Sequence, residues 1–377
     1  MKKWIALFLA AVLLGTCAAA LAEEETEEVF SSAAKAAVLI AAADGRVLYE
    51  KNAYQALPMA STTKVMTALM ALEYGKLDEM VTTSKNAYGV PGTSIYLGLN
   101  ESLSLHDMLY GLLLSSGNDA AVAIAEHISG TVDAFCAAMT ARAAELGCVD
   151  TVFKNPHGLP NNAHHTTAYD LALITREAMT HPLFRQIVST QKANIPWEGR
   201  GYDRVLSNKN RLLSDYAGAT GVKTGYTKAA GRCLVFSADR EGLEVIGVVL
   251  NCGDWFNEAE RIMDDGFARY QFVSALKDGE LVGQIPVTDG ESTVIDAVLD
   301  GWLEGVMLKT AAPSVEIALP QTISGGAEKG EKLGVASLYE DGKLVGQTDI
   351  VAKEAVYRRT FRYSLRRTLN QWLSKEW

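Results

Sequence analysis

Ser61 and Lys64, in "PMASTTKVMTAL" at 58–69, stand three residues apart and could serve as a nucleophile and the base that activates it. A hydroxyl attacks a carbonyl readily only when an adjacent group takes its proton, and an amine can do this if its surroundings keep it neutral. The spacing alone says little. A chain of ordinary composition and this length has Ser-x-x-Lys about once by chance, and here it occurs at Ser32, Ser61, Ser189 and Ser274, with Lys35, Lys64, Lys192 and Lys277.

Local geometry chooses among them. Residues i and i+3 share a face of a helix and point to opposite sides of a strand. The run from Ser61 predicts a helix over 61–74, with Val65, Leu69 and Leu72 on its apolar side and Gly75 as its C-cap. In the first turn Ser61 would lie beside the Lys64 amine, with unpaired backbone amides aimed at any negative charge that develops. Ser32 leads into a predicted strand and "STQKANI" reads as strand, while Ser274 falls where a predicted helix over 255–272 gives out before Asp278-Gly279. Only the Ser61 pair has workable geometry.

The surrounding text supplies the framework. "AAVLIAAADGRVLYE" predicts two strands joined at Asp44-Gly45. From Leu105 to about Met179 the pattern is mainly helical, including "AYDLALITREAM" behind Thr167 as N-cap. Strands return at "VKTGYT", "RCLVFSADR" and "LEVIGVVLN", followed by the 255–272 helix. Beyond Gly279 short alternating runs with Asp-Gly turns predict an all-β domain ending near Ala352. Two further motifs fall within this framework. Ser116-Gly117-Asn118 lies in a turn between two helices, and Lys223-Thr224-Gly225 lies on a strand.

The whole chain narrows the function. It has 377 residues, 48% of them hydrophobic, ample for one large domain or two. Residues 1–22 have two lysines, an apolar run and Ala20-Leu21-Ala22 ahead of an acidic patch, the layout of a cleavable secretory signal. An uncleaved anchor and lipidation at Cys17 are the alternatives. Export would permit disulfides among Cys136, Cys148, Cys233 and Cys252, though buried free thiols are the simpler reading for the first two. The pairing is left open. No Cys/His spacing of the zinc kind occurs, and His164-His165 reads as a solvated pair in a polar loop. A net charge of −10 argues against nucleic acid as a partner. Residues 356–377 carry six basic groups against Glu376 alone, a local +5 that leaves −15 for the remainder. Phe361, Leu365, Leu369 and Trp372 recur there at helical spacing, with Arg358, Arg362, Arg366 and Arg367 mostly off that stripe. This predicts a basic amphipathic helix lying on a membrane surface, the alternative being a helix docked on the β domain.

In order and in context, Ser61-x-x-Lys64, Ser116-Gly117-Asn118 and Lys223-Thr224-Gly225 form the signature of penicillin-recognising enzymes. With "NPHGLP" at 155–160, "TAYDLALI" at 167–174 and "AGRCLVFSA", the chain over about 35–275 resembles the low-molecular-weight penicillin-binding proteins, serine-type D-alanyl-D-alanine carboxypeptidases. The resemblance implies an α/β, β-lactamase/transpeptidase-like domain over 30–277, an antiparallel sheet flanked by helices with a helical insertion. A small β-rich domain would follow over 279–352, then the amphipathic helix over 356–377. It further implies that Ser61 attacks the penultimate D-Ala carbonyl of a peptidoglycan stem peptide, with Lys64 as base. Ser116 would relay the proton, Asn118 would hold a substrate amide, and Lys223 would keep Lys64 neutral and attract the substrate carboxylate. Thr224 would bind that carboxylate, and the Ser61 and Tyr226 amides would form the oxyanion hole. Gly225 would let the substrate lie against its strand. Some relatives have histidine at the place of Tyr226, and an arginine where this chain has Lys209, with Arg211 two residues on. β-Lactams would be covalent inhibitors, and no metal or cofactor is called for. The place of action would be the outer face of the cytoplasmic membrane or the cell-wall space. A β-lactamase is disfavoured because no Glu-x-x-Leu-Asn run lies between Ser116 and Lys223, while a β-lactam sensor with little turnover keeps every motif.

Overall fold

The computed structural model describes residues 30–373, and the elements below belong to one compact unit, Ser32–Trp377. In chain order they are β1 (Ala36–Ala41), β2 (Val47–Lys51), a 3-10 turn (Ala60–Thr63), α1 (Lys64–Tyr74), β3 (Met80–Thr82), β4 (Ser102–Ser104), α2 (Leu105–Leu113), α3 (Asn118–Ser129), α4 (Val132–Glu145), α5 (Ala168–Ala178), α6 (Pro182–Ser189), β5 (Lys192–Ile195), β6 (Arg204–Ser207), α7 (Leu212–Asp215), β7 (Ala219–Thr227), β8 (Gly231–Arg240), β9 (Leu243–Leu250) and α8 (Trp255–Arg269). The β-rich part continues with β10 (Tyr270–Leu276), β11 (Leu281–Thr288), β12 (Val294–Asp300), β13 (Leu303–Leu308), β14 (Pro313–Ala318), β15 (Ile323–Ser324), β16 (Lys332–Glu340) and β17 (Lys343–Ala352), and α9 (Phe361–Leu373) follows.

The main sheet is antiparallel, in the order β2-β1-β9-β8-β7. Its central strands are apolar without alternation because both faces are covered. Val38 and Ile40 enter the helical core with Val65, Leu69 and Ile124. On the other face Leu39 lies against Gly266 of α8, where a Cβ would come within 2.4 Å of its side chain. The Asp44-Gly45 turn closes the β1–β2 hairpin as expected, Gly45 at a φ of 78° and Asp44 Oδ1 accepting from Arg46 N–H at 2.9 Å. Because β7 is the last strand, one of its edges has no strand partner among the described residues, and it is this strand that carries Lys223-Thr224-Gly225.

Several expectations are corrected. The helix over 61–74 is α-helical only from Lys64, and Ser61 lies in the 3-10 turn, where i and i+3 eclipse more closely. Gly75 is the C-cap of α1 as expected, its N–H donating to Ala71 C=O at 3.1 Å, but its backbone is extended. A Cβ there would come within 2.3 Å of the Leu105 side chain, so the glycine serves packing and not a left-handed cap. The 255–272 helix stops at Arg269, and Tyr270-Gln271-Phe272 begins β10, which pairs with β13. Ser189 closes a helix instead of lying in a strand, its Oγ donating to Arg185 C=O at 2.7 Å.

The β-rich part consists of the β10–β13 ribbon and a six-stranded sheet, β14-β16-β17-β12-β11-β15, around Ile285, Leu299, Met307, Leu338 and Ile350. Arg46 ties it to the main sheet. It pairs with Glu340 at 2.7 Å and donates to Val306 C=O at 2.7 Å. The predicted secretory signal over 1–22, with Cys17, lies outside the described residues. Cys136, Cys148, Cys233 and Cys252 are free thiols, and burial raises the pKa of each. No described helix is long and apolar enough to cross a membrane.

Candidate active site

The 3-10 turn presents Ser61 at the meeting of three walls. Lys64 Nζ lies 3.1 Å from Ser61 Oγ, 2.7 Å from Asn118 Oδ1 and 2.8 Å from the His157 carbonyl oxygen. Lys64 is wholly buried. Burial pushes its pKa well below that of an ordinary lysine, with the charges of Lys223 and then Lys209 pushing the same way and Asp119 opposing them. A neutral amine has two N–H donors and one lone pair. The Asn118 and His157 oxygens can only accept, so they take both donors and turn the lone pair towards the Ser61 hydroxyl.

Lys223, on β7, is also buried, and burial and the Lys209 charge lower its pKa to about 7. Its Nζ donates to Thr224 C=O at 3.0 Å. Ser116 and Thr224 are buried, while Tyr226 is exposed on the last part of the strand. Lys209 is exposed, and its charge reaches both buried lysines. Arg211 is engaged elsewhere, pairing with Asp215 at 3.1 Å and lying over Phe256. Of these two cations, then, Lys209 is the one whose charge acts on the buried lysines.

The geometry adds a structural part to two of the expected roles. Asn118 uses both ends of its amide within the protein, Oδ1 accepting from Lys64 and Nδ2 donating to Pro91 C=O at 2.7 Å, so it also holds the amine. At Gly225 a Cβ would sit 2.9 Å from Ser61 N and 3.0 Å from Thr62 N, so this glycine lets β7 close onto the nucleophile turn. The space it saves is inside the enzyme.

Three supporting residues were missed or misread in the sequence. Asp119, next to Asn118, accepts from Ser94 Oγ at 2.5 Å and from the Ile95 and Leu97 amides at 3.1 Å, fastening the 91–97 loop around the Ser116 turn. Asn155 accepts from Gly158 N–H at 2.6 Å and donates to Leu159 C=O at 3.0 Å, shaping the turn that offers the His157 carbonyl to Lys64. The expectation of a solvated His164-His165 pair fails for His164, which is buried behind the nucleophile turn with its Nε2 2.8 Å from Thr63 Oγ1. His165 is half-buried and lies 3.1 Å from Asp150. Asp170 is a buried brace, accepting from Asp150 N–H at 2.9 Å and Thr151 Oγ1 at 2.7 Å.

A serine within hydrogen-bond reach of a buried lysine of lowered pKa, beside a strand edge, is the arrangement of a serine acyl hydrolase in which an amine can do the work given elsewhere to histidine. The comparisons narrow this class. Residues 22–253 match the family model for D-alanyl-D-alanine carboxypeptidase, and 270–358 match that for the penicillin-binding protein 5 C-terminal domain. The chain is 33% identical to D-alanyl-D-alanine carboxypeptidase DacF of Bacillus subtilis, with 89% of each chain covered. It is 31% identical to DacC of Escherichia coli, covering 85% of this chain and 83% of that one. Penicillin-binding protein 5 from Haemophilus influenzae superposes with a TM-score of 0.73 at 27% identity, over 87% of this chain and 99% of the other. The chain belongs to the D-alanyl-D-alanine carboxypeptidase family and is a serine hydrolase of that class, with the peptidase and all-β parts that its sequence led us to expect.

Proposed function

We propose that this enzyme removes the terminal D-Ala from peptidoglycan pentapeptides through an acyl-enzyme on Ser61. The observation that carries the assignment is Lys64 Nζ 3.1 Å from Ser61 Oγ, with the acceptor oxygens of Asn118 and His157 at 2.7 and 2.8 Å from the same amine, which leaves its lone pair for Ser61 when it is neutral. Ser61 Oγ attacks the penultimate D-Ala carbonyl while its proton passes to Lys64 Nζ. The tetrahedral oxygen is received by the Ser61 and Tyr226 backbone amides, a kind of stabilisation worth about 3 kcal/mol per donor. Collapse breaks the peptide bond as Ser116 gives its proton to the departing amine and takes the one held by Lys64, and free D-Ala leaves. Water then cleaves the ester and Ser61 regains its proton. The substrate lies along the free edge of β7 as an added strand, its carboxylate met by Thr224, Lys223 and Lys209. β-Lactams enter the same route and stay on Ser61.

The two domains are taken as 30–277 and 279–352, joined through β10, which pairs with β13. Export of the chain follows from the composition of residues 1–22. We place α9 on the membrane surface. Its Phe361, Leu365, Leu369 and Trp372 are exposed, which disfavours docking on the β domain through that stripe, although Tyr363 Oη donates to Glu291 C=O at 3.0 Å, and it presents Arg362, Arg366 and Arg367.

Release of D-alanine over time from a diacyl-L-Lys-D-Ala-D-Ala tripeptide, beside Ser61→Ala, tests the assignment. Sustained release that vanishes in the variant is expected. No release, with penicillin nevertheless trapped on Ser61, would instead favour a β-lactam sensor.

A further inference from the structure

His164 takes no part in the steps above, yet it is buried directly behind the nucleophile. Its tautomer follows from its neighbours. Lys154 N–H donates to Nδ1 at 3.0 Å, so Nδ1 bears the lone pair and Nε2 bears the proton. Nε2 therefore donates to Thr63 Oγ1 at 2.8 Å, and the Thr63 hydroxyl in turn donates to Ala60 C=O at 2.8 Å. Phe153 packs edge-on against the imidazole, with ring centres 5.8 Å apart, and closes the remaining side. Burial depresses the imidazole pKa to about 4, with His165 adding to the effect, so the ring is neutral near pH 7.

The chain ends on a revealing atom. Ala60 C=O and Ser61 N–H belong to one planar, trans peptide unit, so fixing the direction of the first fixes that of the second. Ala60 is held at a φ of +50°, uncommon for a residue with a side chain, and Gly158 sits so close that a Cβ there would lie 1.8 Å from the Ala60 oxygen. A strained conformation persists only where its surroundings hold it. We propose that His164 is a positioning residue which, through Thr63 and the Ala60 carbonyl, aims the Ser61 amide at the oxyanion. The proposal rests on the reading of Ser61 as nucleophile and of its amide as an oxyanion donor.

Two substitutions separate this from a merely structural role. Glutamine can place an N–H where Nε2 stands and so keep the donation to Thr63, while losing the acceptor that meets Lys154. Asparagine does the reverse, keeping an acceptor near Nδ1 and losing the reach to Thr63. Thr63→Val removes the relay without changing its shape. The rate of penicillin acylation would be measured on the full chain in detergent for wild type, His164→Gln, His164→Asn, Thr63→Val and Ser61→Ala, with circular dichroism to confirm folding.

His164→Gln is expected within about threefold of wild type, and His164→Asn and Thr63→Val at least about tenfold slower, since a misdirected oxyanion donor loses much of its effect. Wild-type rates in Thr63→Val would overturn the proposal. So would a slow His164→Gln beside a fast His164→Asn, or equal slowing of both. Should His164→Asn not fold, the contrast between Thr63→Val and His164→Gln decides. Wild type failing to acylate, or acylation surviving in Ser61→Ala, would instead strike at the assignment of Ser61 itself.

Discussion

Lys64 can act as a base only in the neutral form, and three features favour that form: burial, the Lys223 charge and the Lys209 charge. Of the two cations Lys209 is the simpler to remove, because it is exposed and outside the hydrogen bonds that hold Ser61 and Lys64. The sign of the effect follows directly. A neighbouring positive charge disfavours the protonated amine, so replacing Lys209 with glutamine raises the Lys64 pKa and a higher pH is then needed to free the base. The acid limb of the kcat/KM profile should move upward in Lys209→Gln. KM for a peptide ending in D-Ala-D-Ala should rise as well, by about tenfold or less, since a partly solvated point charge is lost from the carboxylate site. An unmoved acid limb with a raised KM would leave Lys209 a substrate contact only. Arg211, committed to Asp215 and Phe256, should show neither effect when replaced.

Elements bring these residues together, and the join between β7 and the nucleophile turn is the tightest. Gly225→Ala would set a methyl 2.9 Å from Ser61 N and 3.0 Å from Thr62 N, and both obstacles are backbone, which cannot swing aside. The strand must retreat from the turn, so acylation by penicillin should fall about 100-fold. Circular dichroism should remain that of the wild type, since the pairing of β7 with β8 lies on the strand's other edge. Acylation within twofold of wild type would show that the join yields. The strands and long helices here were legible in the sequence because apolar runs and a threonine N-cap are local signals. Ser61, Lys64, Ser116 and Lys223 were legible because three short motifs occur in order. What escaped depends on non-local packing. α6 spans only 8 residues, and its last, Ser189, reads as the start of the strand that follows. β10 follows α8 without a break and looked like its continuation. His164 sits among polar residues, and nothing near it in the chain reveals that Thr63, 101 residues away, covers it. Asp119 directly follows the Ser116-Gly117-Asn118 motif, and nothing in that motif points to the 91–97 loop it holds.

At the scale of the whole molecule, the peptidase and β-rich parts meet at Arg46. Its guanidinium joins Glu340 and Val306 C=O and lies over Tyr270 at 5.2 Å. Glu340 is buried, which alone would raise its pKa, but hydrogen bonds from Leu308 N–H and Arg46 hold it below the usual carboxylate value. Arg46→Ala would strand that carboxylate at a cost of about 3 kcal/mol. Calorimetry should then show the β-rich part melting ahead of the peptidase domain, with penicillin acylation at 25 °C unchanged. An undivided transition at the wild-type midpoint would deny Arg46 this role. Beyond the β-rich part lies α9, where exposed apolar side chains share a short helix with several arginines. Apolar burial holds such a helix at an interface, and each arginine adds on the order of 1 kcal/mol near an anionic leaflet. A chain starting at Glu23, which lacks the predicted signal, should float with phosphatidylglycerol vesicles, bind phosphatidylcholine vesicles several-fold less, and come off the former as salt rises. Phe361→Ser with Trp372→Ser should abolish flotation on both while leaving D-alanine release from a soluble tripeptide intact. Equal flotation of the double variant would mean that the membrane is held elsewhere. Loss of release would mean that α9 serves the catalytic domain directly.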